Sequence, residues 1–409
     1  MEAPTHCPDP VISDTSHASQ GKGALSARPA KPRRKIFFLL DSLNIGGTEV
    51  QAVELALRIG VKGYEITLGC LRARGPLLER LKGSDVAIEE FYPKGGFDSV
   101  RGIYQMLRLA KFLRGGRFQI FHAHDLYSNI LGIPAAVVAR VPVIVSSQRD
   151  LSHLEAYRTG KRAWIRRLQN LSTVVLTNSQ AVRDSVLSDH AFAQEKIRVI
   201  HNGVETNGWG QGGRDRTWLI ADGAGEKWIV LVGNMHSDVK GHAFLIAAAA
   251  EVVREFPNAR FLLVGDGAQR PDFEQKVAQL GLQSNFLFLG RRNDVPKVLS
   301  SCDIAVLPSK AEGLPNAVLE YLATGLPTIA TRVGGNAEII QDGKNGLLIP
   351  AEDSSALARA ILTLLRDPAF SARLGQNGRD SVLQEFSFAR LIEKTDQLYT
   401  ELLQSRGLQ

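Results

Sequence analysis

Residues 307–322 read LPSKAEGLPNAVLEYL. The stretch starts at the end of an apolar strand, crosses a short loop carrying Glu312 and Gly313, and becomes a helix. Pro315 stands near the first helical turn, where a missing N–H does no harm. Strand, tight loop and helix make half of a βαβ unit. Working outward, the same alternation recurs: IVLVG at 229–233 and FLLVG at 261–265 are unbroken apolar runs followed by helical patterns. Such runs belong to parallel strands covered on both faces. The front half predicts strands at 36–40, 65–70, 86–91, 119–124, 141–147, 173–178 and 197–202. The back half predicts them at 228–233, 259–265, 285–290, 304–309, 327–331 and 346–350. Helices are expected between most of them, among others at 48–60, 126–139, 241–256 and 315–324. The fold class is α/β, with two doubly wound Rossmann-like domains and a cleft between them. A length of 409 residues, more than one hydrophobic core usually supports, agrees.

The division between the halves is readable. His201-Asn202-Gly203-Val204 closes the front half in an Asn-Gly turn, and the glycine-rich residues 207–225 follow with little apolar pattern. The expected organisation is a disordered tail over 1–34, an N-terminal domain over 35–204 and a C-terminal domain over 205–386. A final helix over 387–409 has no strand of its own to cover and could cross back to the N-terminal domain.

Composition narrows the function. With 44% hydrophobic and 22% charged residues the chain reads as soluble and globular. No apolar run reaches the roughly 18–20 residues of a membrane helix. Cys7, Cys70 and Cys302 lie far apart, which excludes a disulfide framework and a Cys-rich metal site. Without a basic-then-apolar leader, the expected location is cytoplasmic. The net charge of +7 is concentrated in residues 35–205, which hold 23 Lys/Arg against 16 Asp/Glu. Two spans without acids carry Arg101, Arg108, Lys111, Arg114 and Arg117, then Arg158, Lys161, Arg162, Arg166 and Arg167. Each sits in a predicted amphipathic helix. Either these are solvated faces, or 101–117 and 158–167 meet an anionic membrane surface, on the inner face of the membrane. Nucleic acid is not expected as a partner, since no recognised binding motif accompanies the charge.

Several familiar sites are missing: there is no GxxxxGK[ST] loop, GxSxG elbow, HExxH or CxxC. No two aspartates are separated by a single residue, the pair with which metal-dependent sugar-nucleotide enzymes commonly hold their cation, so neither metal nor cofactor is expected. Gly265-Asp266-Gly267 follows a strand, but Arg270 stands where a dinucleotide fingerprint needs its third glycine. Glu312 and Glu320, with seven residues between them, place two carboxylates on the order of 10 Å apart. That is too far to share a proton. It suits one group gripping a sugar and the other a ribose, with a diphosphate over the helix start between them. The helix dipole supplies only about 0.3–1 kcal/mol at a wetted site, against about 1.5–3 for a charge-assisted bond. A diphosphate departing without a metal therefore needs a fixed cation, and Lys240 in the loop after 228–233 is the candidate. Taken singly, Lys240 and Glu320 are ordinary helix-surface residues.

Together these stretches resemble a known family. The Glu-x7-Glu element, VG…VKGH, HNGVE, LLVGDG, FLG, LPS…EGLPNAVLE and ATRVGGNAEII…DGKNGLLIP are similar to the retaining family-4 glycosyltransferases of GT-B fold. The likeness runs from about residue 36 to 399 and is looser in the front half, at 41–48, 121–125 and 146–150. It implies a nucleoside-diphosphate sugar, UDP- or GDP-type, on the back domain and a hydroxyl acceptor on the front one. Glu312 would take donor-sugar hydroxyls and Glu320 the ribose. Backbone N–H groups near Gly313, at Leu314, Asn316 and Ala317, would meet the phosphates with Lys240. Gly47 would border the phosphates, and His124 would sit near the transferred sugar. Asn234 stands where the family often carries an Arg, which shifts phosphate neutralisation toward Lys240 or the acceptor-side Arg149. The implied activity is a metal-independent transfer that keeps the anomeric configuration, in polysaccharide, glycolipid or lipid-linked oligosaccharide synthesis. A sugar-nucleotide epimerase or glycogen-type synthase on the same fold remains open, as does an inactive nucleotide-sugar-binding or scaffold protein.

Overall fold

The computed structural model describes residues 33–150, 161–188, 193–206, 216–219 and 225–408. Residues 1–32 of the expected tail, most of the glycine-rich linker and Arg158 lie outside them, and Arg34, expected in the tail, instead opens the first strand.

Two parallel sheets organise the chain. The first has seven strands: β1 (Arg34–Ser42), β2 (Tyr64–Arg72), β3 (Ala87–Glu90), β4 (Ile120–Ala123), β5 (Val143–Gln148), β6 (Val174–Thr177) and β7 (Ile197–Val199). Their spatial order is β3-β2-β1-β4-β5-β6-β7. The second has β8 (Lys227–Val232), β9 (Ala259–Val264), β10 (Phe286–Gly290), β11 (Ile304–Leu307), β12 (Thr328–Thr331) and β13 (Leu347–Ile349), in the order β10-β9-β8-β11-β12-β13. Helices cover both faces of each sheet, so the apolar runs are buried on both sides: β1 is sealed from Ile36 to Leu40, and β8 from Trp228 to Leu231. This is the GT-B α/β arrangement of two Rossmann-like units.

Strand order decides where a ligand can sit. In the first sheet it reverses between β1 and β4, in the second between β8 and β11. A crevice opens at such a switch point, beyond the carboxyl ends of the strands. Gly47 opens the helix that follows β1, and the loops that follow β4, β8 and β11 carry His124, Lys240 and Glu312 respectively.

Several predicted boundaries move for physical reasons. The strand predicted over 304–309 stops at Leu307, because Pro308 cannot donate to the ladder. The helix of residues 315–324 is Asn316–Ala323, with Pro315 extended just outside it as the cap. The strand over 197–202 ends at Val199, and His201 and Asn202 turn away to meet the second sheet's loops. Helix starts are written locally: Ser99, Asp125, Ser179, Asp353 and Ser387 each accept a backbone N–H two or three residues into their own helix.

The last helix, Phe388–Gln404, belongs to the first sheet's core. Phe388, Leu391, Leu398, Tyr399 and Leu403 pack with Ile36, Phe38 and Val145, while Val204 pairs with Ser387 where the chain returns.

Candidate active site

On the second sheet, the loop after β8 ends in a tight turn over Asp238–Lys240 and then Gly241, at φ 76°. A Cβ at Gly241 would lie 1.9 Å from the Pro308 carbonyl oxygen, so only glycine lets the two switch-point loops touch. Their contact delivers Lys240 to Glu312. The ammonium lies 2.7 Å from Glu312 Oε1 and 3.0 Å from Oε2, and the Ser309 hydroxyl donates to Oε1 at 2.6 Å. Glu312 is buried, and Gly334, at φ 49°, backs its carbonyl where a Cβ would come within 1.7 Å.

Beside this pair starts helix Asn316–Ala323, capped by Pro315 with no side-chain bond. Glu320 lies half-buried on it. Burial pushes its carboxyl up to about 7, against a smaller downward pull from Arg80. Asn234 is exposed in the loop after β8.

The two sheets meet through amides. The Asn316 side chain donates to the Gly47 carbonyl at 3.1 Å and accepts from Asn202 Nδ2 at 2.8 Å and Gln51 Nε2 at 3.2 Å. Asn202 also donates to the Leu314 carbonyl, and Gln51 to the Gly203 carbonyl. Gly313 lies against the Arg149 carbonyl, where a Cβ would come within 2.2 Å. Asn178 donates to that same carbonyl. Glu338 accepts from the Gln180 and Ala181 N–H groups and lies 3.1 Å from His201 Nε2. These contacts hold its carboxyl below the ordinary range, although burial opposes them.

On the first sheet, His124 leaves β4 fully buried, stacked on His122 with centroids 3.9 Å apart and edge-on to Phe38. His122 is satisfied, by the Tyr399 hydroxyl at 2.6 Å and the Ser147 hydroxyl at 2.8 Å. His124 bonds through neither ring nitrogen. Burial keeps both imidazoles neutral, their pKa well below the usual value. His124 borders a cavity of about 260 Å³ with Asp41, Gly47, Glu49, Asp125 and Arg149. Burial brings the Arg149 guanidinium down to about 10; Nη1 donates to Asn202 at 3.2 Å, while Nε has no partner.

The structure thus gathers Lys240, Glu312 and the 316–323 helix start at one switch point, and Gly47, His124 and Arg149 at the other. Asn316 and Gly313 join the two. Asp41, Glu49, Asp125, Gln51 and Asn202 are additions that sequence reasoning did not single out. Asp125 is also the cap of helix Leu126–Ala139, and buried amides carry no periodic signal.

Known proteins match both halves of the chain. The model of "Glycosyltransferase Family 4" matches residues 45–207, and that of "Glycosyl transferases group 1" matches 226–367. Each falls on one of the two sheets. The chain belongs to the family-4 glycosyltransferases. It is 25% identical, over 83% of its length and 90% of the relative's, to the UDP-Gal:alpha-D-GlcNAc-diphosphoundecaprenol alpha-1,3-galactosyltransferase of Escherichia coli. It is 30% identical to the lipopolysaccharide core biosynthesis glycosyltransferase LpsE of Rhizobium meliloti, over 57% of this chain and 64% of that one. The crystal structure of Anabaena HepE in complex with UDP and glucose superposes with a TM-score of 0.79 at 24% identity, covering 90% of this chain and all of that one. Family-4 membership makes this a glycosyltransferase with a nucleotide-sugar donor. Among the described residues, no helix is long and apolar enough to cross a membrane.

Proposed function

We propose that this glycosyltransferase moves a sugar from a UDP-type donor to a hydroxyl acceptor with retention of configuration and without a metal. The observation that carries the reading is the Lys240–Glu312 contact at the uncapped start of helix Asn316–Ala323. A fixed ammonium and free helical N–H groups are what a departing diphosphate requires when no cation bridges it. Glu312 is placed to exchange the Lys240 ammonium for donor-sugar hydroxyls as the phosphate arrives, and Glu320 takes the ribose. The acceptor hydroxyl approaches on the face the phosphate leaves, and the phosphate oxygen receives its proton, so the enzyme's share is positioning and charge stabilisation. UDP in complexes of the structural relatives supports the choice of nucleotide.

A thermal-shift screen of UDP-, GDP- and ADP-sugars tests the donor, because specific binding raises the melting temperature by linkage. A shift confined to UDP-sugars, unaltered by EDTA, is expected. An EDTA-sensitive shift or loss of activity would sink the metal-free mechanism, and an inverted anomeric signal in the NMR spectrum of the product would sink retention.

The acceptor reading includes a membrane surface. Helix Val100–Gly116 exposes Val100, Ile103, Tyr104 and Leu107, an i, i+3, i+4, i+7 stripe, beside exposed Arg101, Arg108, Lys111 and Arg114. That stripe is what an interfacial helix presents to anionic lipid. Trp164 is half exposed on helix Lys161–Asn170. Co-sedimentation with anionic but not neutral vesicles at low salt is expected, and equal partition onto both would remove the proposal.

A further inference from the structure

The cavity beside His124 is acidic. Asp41 lies one residue before the end of β1, Glu49 in the first turn of helix Gly47–Ile59, Asp125 after β4 and Asp150 after β5; all four border it. Two cations face them: Arg149 across the cavity, and Arg72 behind Asp41. Among the described residues, no three His, Cys, Asp or Glu side chains are gathered as metal ligands would be.

The start of helix Gly47–Ile59 already holds an anion of its own. The Glu49 carboxylate folds back so far that a Cβ at Gly46 would lie 2.2 Å from its Oε2. Asp125 Oδ1 accepts from the Ser128 N–H and Oδ2 from the Asp41 N–H, each at 2.8 Å. Each carboxylate oxygen still has a lone pair to give, since a carboxylate offers about four acceptor sites. A neutral imidazole has one donor and one acceptor, and both nitrogens of the fully buried His124 lack partners. Leaving a buried polar group unpaired costs about 1–3 kcal/mol, so His124 is a place made for a ligand.

What fits is a molecule rich in O–H donors, with one hydroxyl that both donates and accepts. A sulfate or phosphate brings no donors for the carboxylates, and its charge would face Asp41, Glu49, Asp125 and Asp150 against the one guanidinium of Arg149 that lines the cavity. We propose that this cavity receives an uncharged, hydroxyl-rich sugar ring as the acceptor's reacting end and excludes anionic substituents on that ring, with Asp41, Glu49, Asp125 and His124 setting the specificity. The inference rests on the reading that the first sheet's switch point is the acceptor side.

The test uses the full chain saturated with UDP, and methyl glycosides of the gluco, galacto, manno and N-acetylglucosamine series, each beside its own 6-sulfate. Sulfate esters keep one charge across the pH range used. Binding is read by saturation-transfer NMR titration. At about pH 8.5 at least one neutral glycoside is expected to bind about tenfold tighter than its sulfate. At about pH 5.5 the gap narrows to about threefold, because burial brings Glu49 up to about 7 and Asp125 to about 6, and both are then largely neutral. Glu49→Gln narrows it at the higher pH too. Equal or tighter binding of the sulfates, or no glycoside binding while UDP binds, overturns the acceptor assignment and leaves the transferase standing. Displacement of the glycoside when UDP-glucose replaces UDP also overturns it, by placing the ring in the donor's own sugar site. Failure of UDP itself to bind would bring down the underlying reading as well.

Discussion

The two switch points are built on opposite principles. At the second sheet, cation and anion are already paired: Lys240 holds Glu312, which also holds Ser309. On the proposed reading, a donor arriving there would replace contacts one for one, phosphate for carboxylate at Lys240 and hydroxyl for ammonium at Glu312. At the first sheet, polar groups stand buried and unpaired, His124 foremost, beside like charges that strain one another. The first arrangement keeps a high charge density stable before substrate arrives. The second spends stability to make a cavity that only a suitable ligand satisfies, and on the proposed reading this difference would separate recognition of a charged leaving group from recognition of a neutral ring.

The sharpest way to break the comparison is to delete the cation. Lys240→Ala should lower kcat at saturating donor by about 10²–10³, the scale of losing one transition-state donor; near-normal turnover would mean that another group carries the phosphate. A middle-sized effect concerns the join. Asn316→Ala strips partners from Asn202, Gln51 and the Gly47 carbonyl, at about 1–3 kcal/mol for buried groups left unpaired. The melting temperature should fall by about 3–6 °C, and small-angle scattering should show a larger radius of gyration in the nucleotide-free protein. An unchanged profile would make the amide cluster incidental. The smallest effect is a pH slope. Burial raises the Glu320 carboxyl from 4.5 to about 7, so the unfolded chain loses that proton first. Its stabilising contribution is complete below about pH 4.5 and is lost as pH rises to about 7. Glu320→Gln should therefore flatten the melting temperature between those values, and an identical slope in both proteins would show Glu320 to be well solvated.

The same contrast explains what was legible in the chain. The second sheet's candidate site lies within two short segments, each next to its strand: Glu312 and Glu320 have seven residues between them, and Lys240 lies in the loop after β8. Spacing and motif order made these residues candidates. The first sheet's site draws Asp41, Glu49, Asp125 and Arg149 from three separate segments, and each has an ordinary local explanation, such as a strand end, a first-turn acid or a helix cap. Only packing shows that they face one cavity. Strand positions were legible because unbroken apolar runs have one good solution. The turns at Pro308 and His201 shortened strands for reasons of hydrogen bonding that hydrophobicity does not encode. Of the two basic stretches, that at 101–117 forms a helix with an exposed apolar stripe. Of the other, Arg158 lies outside the described residues, and helix Lys161–Asn170 carries the half-exposed Trp164.

The helix Phe388–Gln404 gives the chain an order of assembly. Its Tyr399 supports His122, on which His124 lies, yet it is synthesised after everything else in the fold. During translation the earlier-made lobe therefore waits, one wall missing, while the later-made lobe can close first, against the usual amino-to-carboxyl sequence of domain folding on the ribosome. A nascent chain halted before residue 388 would carry an intact second-sheet half and an open, sticky first-sheet half, a natural client for chaperones.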